Sequence, residues 1–160
     1  MKIIKRISLV IVLLVLIFVS YKYVIFKKYS VENGDTEKEI TKVLTKNESP
    51  IYLKDAFSFE WTDAYVFQAY TPSESIEKKV KVKWIPQKSF LGYLFDITDF
   101  SLQDDGRMEM IFVNEDKVVK DIVFYSREFN IKQEHLKRND TLILKDKEDH
   151  IYSIAKDSKD

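Results

Sequence analysis

The amino-acid sequence predicts an α+β protein: an N-terminal transmembrane helix, then one small domain with an antiparallel sheet and two or three short helices. Three observations lead to this prediction. Residues 7–26 form one apolar run, interrupted only by Lys22. The later part of the chain contains two hairpin patterns, and a strand and a capped short helix precede them. Helices segregated from consecutive hairpins favour an α+β fold over alternating βαβ units.

The apolar run is long enough to cross a bilayer. Its first part, residues 7–21, reads ISLVIVLLVLIFVSY and contains no charge. As a helix, residues 7–26 would extend about 30 Å, which matches the hydrocarbon thickness. Lys22 can extend its amine to the headgroups, and the tyrosines around it suit the membrane interface. We therefore predict a single-pass signal anchor that contacts the lipid bilayer of the cell membrane through residues 7–26.

A secretory signal that is cleaved off is the alternative interpretation of this segment. Cleavage requires a small residue at the end of the signal and another two positions earlier. Ser20 is the candidate end, and Phe18 two positions before it is bulky. A lipid-modified cysteine is excluded because the chain has no cysteine. We favour the uncleaved anchor and keep secretion after cleavage as the alternative.

The basic residues around the span give only a weak orientation signal. Three precede or begin it and three follow or end it: Lys2, Lys5, Arg6, Lys22, Lys27 and Lys28. A short head is easily retained, whereas a long domain is translocated largely regardless of its charge. We therefore predict five segments: a cytoplasmic head 1–6, the span 7–26, a tether 27–35, an extracytoplasmic domain 36–156 and a polar tail 157–160.

Composition excludes several classes of partner and chemistry. Residues 31–160 contain 20 basic and 26 acidic side chains, a net charge of −6. This mixed, mildly acidic character argues against nucleic acid as a partner. With only three glycines in the chain, neither a dinucleotide fingerprint nor a P-loop can be written. The absence of cysteine excludes disulfides, thiolate zinc sites and thiol nucleophiles.

The first elements of the domain are a helix and an aromatic strand. Thr36 and Glu39 form a capping box, which predicts a helix over 36–46. Residues 56–70 read AFSFEWTDAYVFQAY, an aromatic and β-branched composition that is typical of a strand.

A second capping box predicts a short helix after this strand. In the sequence TPSE, Thr71 is the expected cap, Pro72 the first helical residue and Glu74 the partner of the cap. The helix has about nine residues and must end before Pro86. Residues 87–101 are rich in aromatic residues but follow no regular pattern.

Two hairpins complete the domain. Alternating apolar residues over 108–113 and 118–125 flank a four-residue turn, which predicts the first hairpin. The runs 142–144 and 151–155 flank a charged turn and predict a weaker second hairpin.

The combination of these elements resembles a known pattern. Residues 59–76 read FEWTDAYVFQAYTPSESI, and residues 110–129 read MIFVNEDKVVKDIVFYSREF. Together they are similar to a family of small uncharacterised bacterial proteins that carry an N-terminal export signal or anchor. The matching residues are Trp61, Tyr65, Phe67, Tyr70, Thr71, Glu74 and Ile76. Thr62 is inserted after the tryptophan, Ala69 replaces a proline, and the glycine after the short helix is missing. The resemblance implies a fold and no activity.

No recognisable catalytic set is present in the sequence. Its two histidines, His135 and His150, lie in charged stretches that are typical of solvated loops. A nucleophile–base hydrolase requires a histidine beside a hydroxyl, and a zinc site requires three or four nitrogen or sulfur ligands. We therefore predict a protein that is not an enzyme, with no catalytic, cofactor-binding or metal-binding residues and no cofactor.

Two acidic clusters provide an alternative. They are Asp96, Asp99, Asp104 and Asp105, and Asp146, Glu148 and Asp149. Converging carboxylates can bind calcium or hydrolyse a glycosidic bond. Neither cluster matches the calcium-loop pattern, and acidic residues between strands are usually exposed turns. A cell-envelope hydrolase that uses Asp or Glu is therefore kept as an alternative function.

The aromatic stretch provides a possible binding surface at Trp61, Tyr65 and Tyr70, because tryptophan and tyrosine are common recognition residues. The competing interpretation is a core strand with one exposed face. We predict a membrane-anchored, non-catalytic binding or accessory module for an unknown protein or envelope partner. A small inhibitor or immunity-type protein is a further alternative.

Overall fold

The computed structural model describes residues 2–31, 38, 42–43, 49–87, 89–97, 105–127, 130–146, 148 and 151–155. It divides into two compact units. The first comprises Met1–Ser30 and Trp84–Asp99, and the second comprises Val31–Lys83 and Phe100–Asp160. Trp84–Asp99, which the sequence analysis placed in the domain, is thus grouped with the N-terminal helix.

The content of helices and mainly antiparallel strands confirms the α+β class. The described helices are α1 (Lys2–Tyr29), α2 (Leu53–Ala56), α3 (Ser73–Val80) and α4 (Phe90–Leu94). The described strands are β1 (Ile51–Tyr52), β2 (Asp63–Gln68), β3 (Arg107–Asn114), β4 (Lys117–Tyr125), β5 (Asn130–Ile131), β6 (His135–Lys137), β7 (Thr141–Asp146) and β8 (Ile151–Ile154).

The first unit consists of α1 and a segment that returns to its end. Within Arg6–Tyr29 of this helix, one 18-residue stretch has a mean hydropathy of 2.7, and only 6 % of that stretch is buried. It is therefore long and apolar enough to span a membrane. The returning chain is fixed by a hydrogen bond of 2.9 Å from the Ile85 N–H to the Tyr29 carbonyl, and α4 packs near this end.

The described residues of the second unit form two four-stranded sheets, in the orders β4-β3-β2-β6 and β1-β7-β8-β5. The strand pairs among these residues are antiparallel, except for β5 with β8. The prediction of a single sheet is wrong. Two of the strands, β1 and β5, have only two residues each, which is too short to produce an alternating pattern in the sequence.

Both predicted hairpins are confirmed. β3 and β4 flank a turn in which Glu115 has a φ of 55°. Phe112 pairs with Lys120 and Val113 with Val118, so Val119 is an extra residue, a β-bulge. The bulge reverses the alternation of side chains along β4, which the sequence pattern of this strand did not predict. The second hairpin is formed by β7 and β8.

The main core lies between the two sheets. Its buried members are Ile51, Leu53, Phe57, Trp61, Ala64, Val66, Met108, Met110, Phe112, Ile122, Phe124, Ile131, Leu136, Leu142 and Tyr152. Phe112 is its aromatic centre, since its ring lies 5.1–5.2 Å from the rings of Phe57, Phe59 and Trp61. Rings in such edge contacts contribute packing energy beyond their buried area.

The predicted strand at 56–70 is shorter than expected. Only Asp63–Gln68 is a strand, whereas Leu53–Ala56 is a helical turn and the residues between them are irregular. Phe57 and Trp61 are 5 % and 1 % exposed. Their rings belong to the core without strand geometry, because burial of large rings outweighs the intrinsic strand preference of aromatic residues.

The helix α3 confirms the predicted short helix but not its cap. It begins at Ser73, and no side chain caps its first turn. The Thr71 hydroxyl instead donates to the Gln68 carbonyl at 2.7 Å, so it closes the turn after β2. At the other end Lys81 has a φ of 58°. It occupies the left-handed position that glycine usually takes after a helix.

The first sheet is covered on both faces along β3. Six consecutive residues of β3, Met108–Val113, are buried, as expected for a strand without a solvent face. Ile76 and Val80 of α3 are buried but lie outside the main core. We therefore assign α3, which contacts β2, to the face opposite the core. The predicted helix 36–46 lies largely outside the described residues; Lys38, Lys42 and Val43 are helical.

We expect replacement of Phe112 by Ala to decrease the free energy of unfolding by about 3–5 kcal/mol, because the side chain is fully buried and its loss leaves a cavity. Urea unfolding of the full chain in detergent micelles measures the change. Tyr52→Ala is the matched control, since Tyr52 is 55 % exposed. Equal effects of the two substitutions would contradict a core centred on Phe112.

Candidate binding surface

The pairing of β2 with β6 brings Tyr65 and His135 together. The Val66 N–H donates to the Glu134 carbonyl at 3.0 Å, and the Arg138 N–H donates to the Thr62 carbonyl at 3.0 Å. Tyr65 and His135, which are directly opposite in the register, therefore form a non-hydrogen-bonded pair. Side chains of such pairs approach most closely in antiparallel sheets.

The side chains of Asp63, Tyr65 and His135 form a connected set, which we call the Tyr65 patch. The rings of Tyr65 and His135 stack at a centroid distance of 4.9 Å and an angle of 25°. His135 Nε2 lies 2.8 Å from Asp63 Oδ1. The side chains of His135 and Asp63 are 44 % and 34 % exposed. The patch is thus accessible from solvent while its geometry is fixed by the sheet.

The environment of the Tyr65 patch keeps the phenol neutral. Partial burial raises the pKa of Tyr65 above 10.0, and the negative charge of Asp63 raises it further. Ile111, the residue of β3 that pairs with Tyr65, is fully buried. Its position beside the Tyr65 ring is consistent with the partial burial of that ring. The patch therefore presents a phenol hydroxyl that can donate a hydrogen bond, beside the side chains of Asp63 and His135.

The outer edge of β6 is closed beside the patch. The Asp140 carboxylate accepts a hydrogen bond of 2.7 Å from the Lys137 N–H, and the Asp140 N–H donates to the Lys137 carbonyl at 2.9 Å. These are the groups that a further strand would need at this position. A further strand therefore cannot form hydrogen bonds with these two groups of Lys137.

The structure separates the three residues of the predicted binding surface. Trp61 is 1 % exposed and belongs to the main core. Tyr65 lies on the opposite face of the first sheet from Ala64 and Val66, which are core residues. Trp61 precedes β2 and does not continue its alternation, so it does not share a face with Tyr65. Tyr70 is 59 % exposed, in the turn after β2.

His135 was not expected to take part in a structured site. It lies in β6, not in a solvated loop, and its ring bonds to a residue 72 positions away. The charged sequence around it, QEHLKR, does not reveal a three-residue strand. The available signal was the alternation of Asp63 and Tyr65, which places both on one face of a strand. His150 lies outside the described residues.

The acidic clusters are only partly described. Asp96 follows the end of α4 and has a φ of 52°, and Asp105 lies exposed in the turn before β3. The Asp146 carboxylate accepts a hydrogen bond of 2.9 Å from the Glu148 N–H, which is a typical turn contact. Asp99, Asp104 and Asp149 lie outside the described residues. Among the residues that are described, no group of three or more His, Asp or Glu could hold a metal ion.

The Tyr65 patch has two of the three parts of a nucleophile–base arrangement. The Asp63 carboxylate orients the His135 imidazole, as the acid of a triad does. In the described contacts the imidazole nitrogen bonds to Asp63, and no hydroxyl lies within hydrogen-bond distance of it. The aromatic face, carboxylate and imidazole are instead a combination suited to recognition of a polar or cationic group.

Comparison of the chain with protein-family models, curated proteins and solved structures gives no match. The resemblance to the family of small bacterial proteins therefore stays a prediction.

We expect Asp63→Asn to lower the pKa of Tyr65, because the substitution removes the neighbouring negative charge while burial is unchanged. Titration of isotope-labelled tyrosine carbons by nuclear magnetic resonance measures the shift. Tyr152 is the internal control, since burial alone raises its pKa. An unchanged Tyr65 together with a shifted Tyr152 would contradict the described geometry.

The raised pKa of Tyr65 also predicts how the free energy of unfolding changes at alkaline pH. A tyrosine whose folded pKa is raised above 10.0 stabilises the fold below pH 10, where both states are protonated. Above that pH the unfolded state loses its proton first. The free energy of unfolding should therefore fall as the pH rises through the folded pKa, and less steeply in Tyr65→Phe.

Proposed function

We propose that this chain is a single-pass membrane protein that holds a non-catalytic binding module at the outer side of the cell membrane. The Tyr65 patch is the proposed contact surface for a protein or envelope component. The observation that carries the proposal is the stacked Tyr65–His135 pair with its Asp63 partner, displayed beside a closed sheet edge.

The exposure of α1 supports membrane anchoring. A core helix of a soluble protein is mostly buried, whereas only 6 % of the most apolar 18-residue stretch of this helix is buried. Leu9, Leu14 and Val24 are each 60 % exposed or more. Exposing such a surface to water costs roughly 25 cal/mol per Å². Lipid removes that cost.

The residues before the possible cut support retention of the anchor over cleavage. Cleavage after Ser20 requires a small residue two positions earlier, and Phe18 at that position is bulky. The long domain after the span supports an N-terminus in the cytoplasm and a domain outside.

We expect the full chain to stay in the membrane pellet after alkaline extraction, at its unprocessed mass. Leu16→Arg combined with Ile17→Arg should release it, because two arginines at the centre of a span cost about 5–7 kcal/mol. Tyr52→Arg combined with Tyr70→Arg is the control outside the span. Protease shaving of intact cells should remove the domain. A domain protected until the membrane is broken would contradict the orientation.

The hydrolase alternative has two buried carboxylates to consider. Glu109 and Asp121 are 7 % and 9 % exposed, and they lie on adjacent strands, since Ile111 pairs with Asp121. Their burial argues against direct contact with a polymeric substrate. The binding module is therefore the better supported function, and an inhibitor or immunity-type protein would be one form of it.

We expect a photocrosslinking residue at position 137, which is exposed and lies on the same face of β6 as His135, to give one adduct of defined mass in intact cells. The same residue at position 52, on the exposed Tyr52 of the other sheet, is the control and should give none. Tyr65→Ala should abolish the adduct if the ring is part of the contact. An adduct that is equally strong from both positions, or independent of Tyr65, would contradict the proposed surface.

A further inference from the structure

Three large apolar side chains are exposed in the segment of the first unit that packs beside the last turns of α1. Leu91 is 63 % exposed, Phe95 is 68 % exposed and Ile97 is 63 % exposed. We propose that residues 89–97 are a second membrane-contacting element, with these three side chains inserted in the interfacial layer of the lipid bilayer. The inference rests on the proposed anchoring by α1 and adds a lipid contact that the span alone does not provide.

Aromatic contacts fix the level of this element along α1. Phe90 lies 5.2 Å from Tyr23 and 5.7 Å from Phe26, measured between ring centroids. At 1.5 Å per residue, Phe26 lies about 28 Å along the helix from Ile7, where the apolar run begins. The hydrocarbon core is about 30 Å thick. The short helix α4 is therefore held where hydrocarbon gives way to headgroups.

The apolar side of α4 faces away from α1. Phe90 and Tyr93 make the contacts with the long helix. Leu91 and Phe95 are four positions apart, which places them on the same side of a helical turn, and this side is exposed. The element thus has a protein-facing aromatic side and a separate apolar side that is available to lipid.

Several backbone groups of this element form hydrogen bonds within the element itself. The Ser89 hydroxyl oxygen accepts a hydrogen bond of 3.0 Å from the Gly92 N–H. Asp96 has a φ of 52°, and the Ile97 N–H donates to the Gly92 carbonyl at 2.8 Å, the long bond of a Schellman ending. Paired backbone groups lower the cost of entering a less polar layer.

The cations near this element match a headgroup position. Lys22 Nζ lies 5.0 Å from the centroid of the Tyr93 ring, and Lys27 and Lys28 follow within the last turn of α1. Lysines and tyrosines at one level are typical of the membrane interface, where the amines reach anionic headgroups. This charge pattern, together with continuity with the span, favours lipid over a soluble protein as the occupant.

The absence of cysteine allows a direct test in the full chain. Single substitutions Leu91→Cys, Phe95→Cys and Ile97→Cys are labelled with a nitrobenzoxadiazole dye and reconstituted in vesicles of phosphatidylcholine and phosphatidylglycerol. Leu16→Cys is the control inside the span, and Tyr52→Cys is the exposed control outside it. Quenching by nitroxide-labelled lipids measures the depth of each dye in the bilayer. Ser89→Cys labels the polar cap of α4, and its depth is compared with the depths at the three apolar positions.

We expect blue-shifted emission and strong quenching by shallow nitroxides at positions 91, 95 and 97, and deep quenching at 16. Position 52 should behave as in water. Water-like emission at 91, 95 and 97, with position 16 still deep, would overturn this inference and leave the anchor intact. Water-like emission at 16 would overturn the anchor itself. Equal depth at 89, 91 and 95 would overturn the proposed one-sided insertion.

Discussion

The position of β2 in the middle of the first sheet is the constraint on which the second unit depends. β2 pairs with β3 through six residue pairs and with β6 through three. The alternation along it sends Ala64 and Val66 into the core and leaves Asp63 and Tyr65 on the other face. A slip of one residue would bury the carboxylate and expose the core. One register therefore determines both the packing of the core and the chemistry of the Tyr65 patch.

The sequence predicted those elements whose signal is local. The β3–β4 hairpin was predictable because its strands are long and flank a polar turn, and the apolar N-terminal helix because its composition alone identifies it. The second sheet was not predictable, because the two-residue strands β1 and β5 carry no periodic signal. Within the patch, Asp63 and Tyr65 were predicted as strand residues. Their partner His135 was not, because it lies in a distant strand of three residues that forms only by pairing with β2.

Aromatic residues perform different tasks in the two units. In the second unit, the rings around Phe112 fill the space between sheets. In the first unit, Phe26 and Phe90 join a long helix to a short one, and other apolar side chains stay exposed. Composition alone does not separate these tasks, since both segments are rich in phenylalanine and tyrosine. Burial and the identity of the contacting rings separate them.

Under the proposed membrane anchoring, the closure of β6 by Asp140 has a further consequence. Diffusion in two dimensions brings copies of a tethered domain together far more often than dilution in three dimensions would. An unpaired strand edge can form hydrogen bonds with a strand of a neighbouring copy and so extend the sheet from one copy to the next. Because the Lys137 N–H and carbonyl are already bonded to Asp140, crowding of anchored copies would not extend the sheet at that residue.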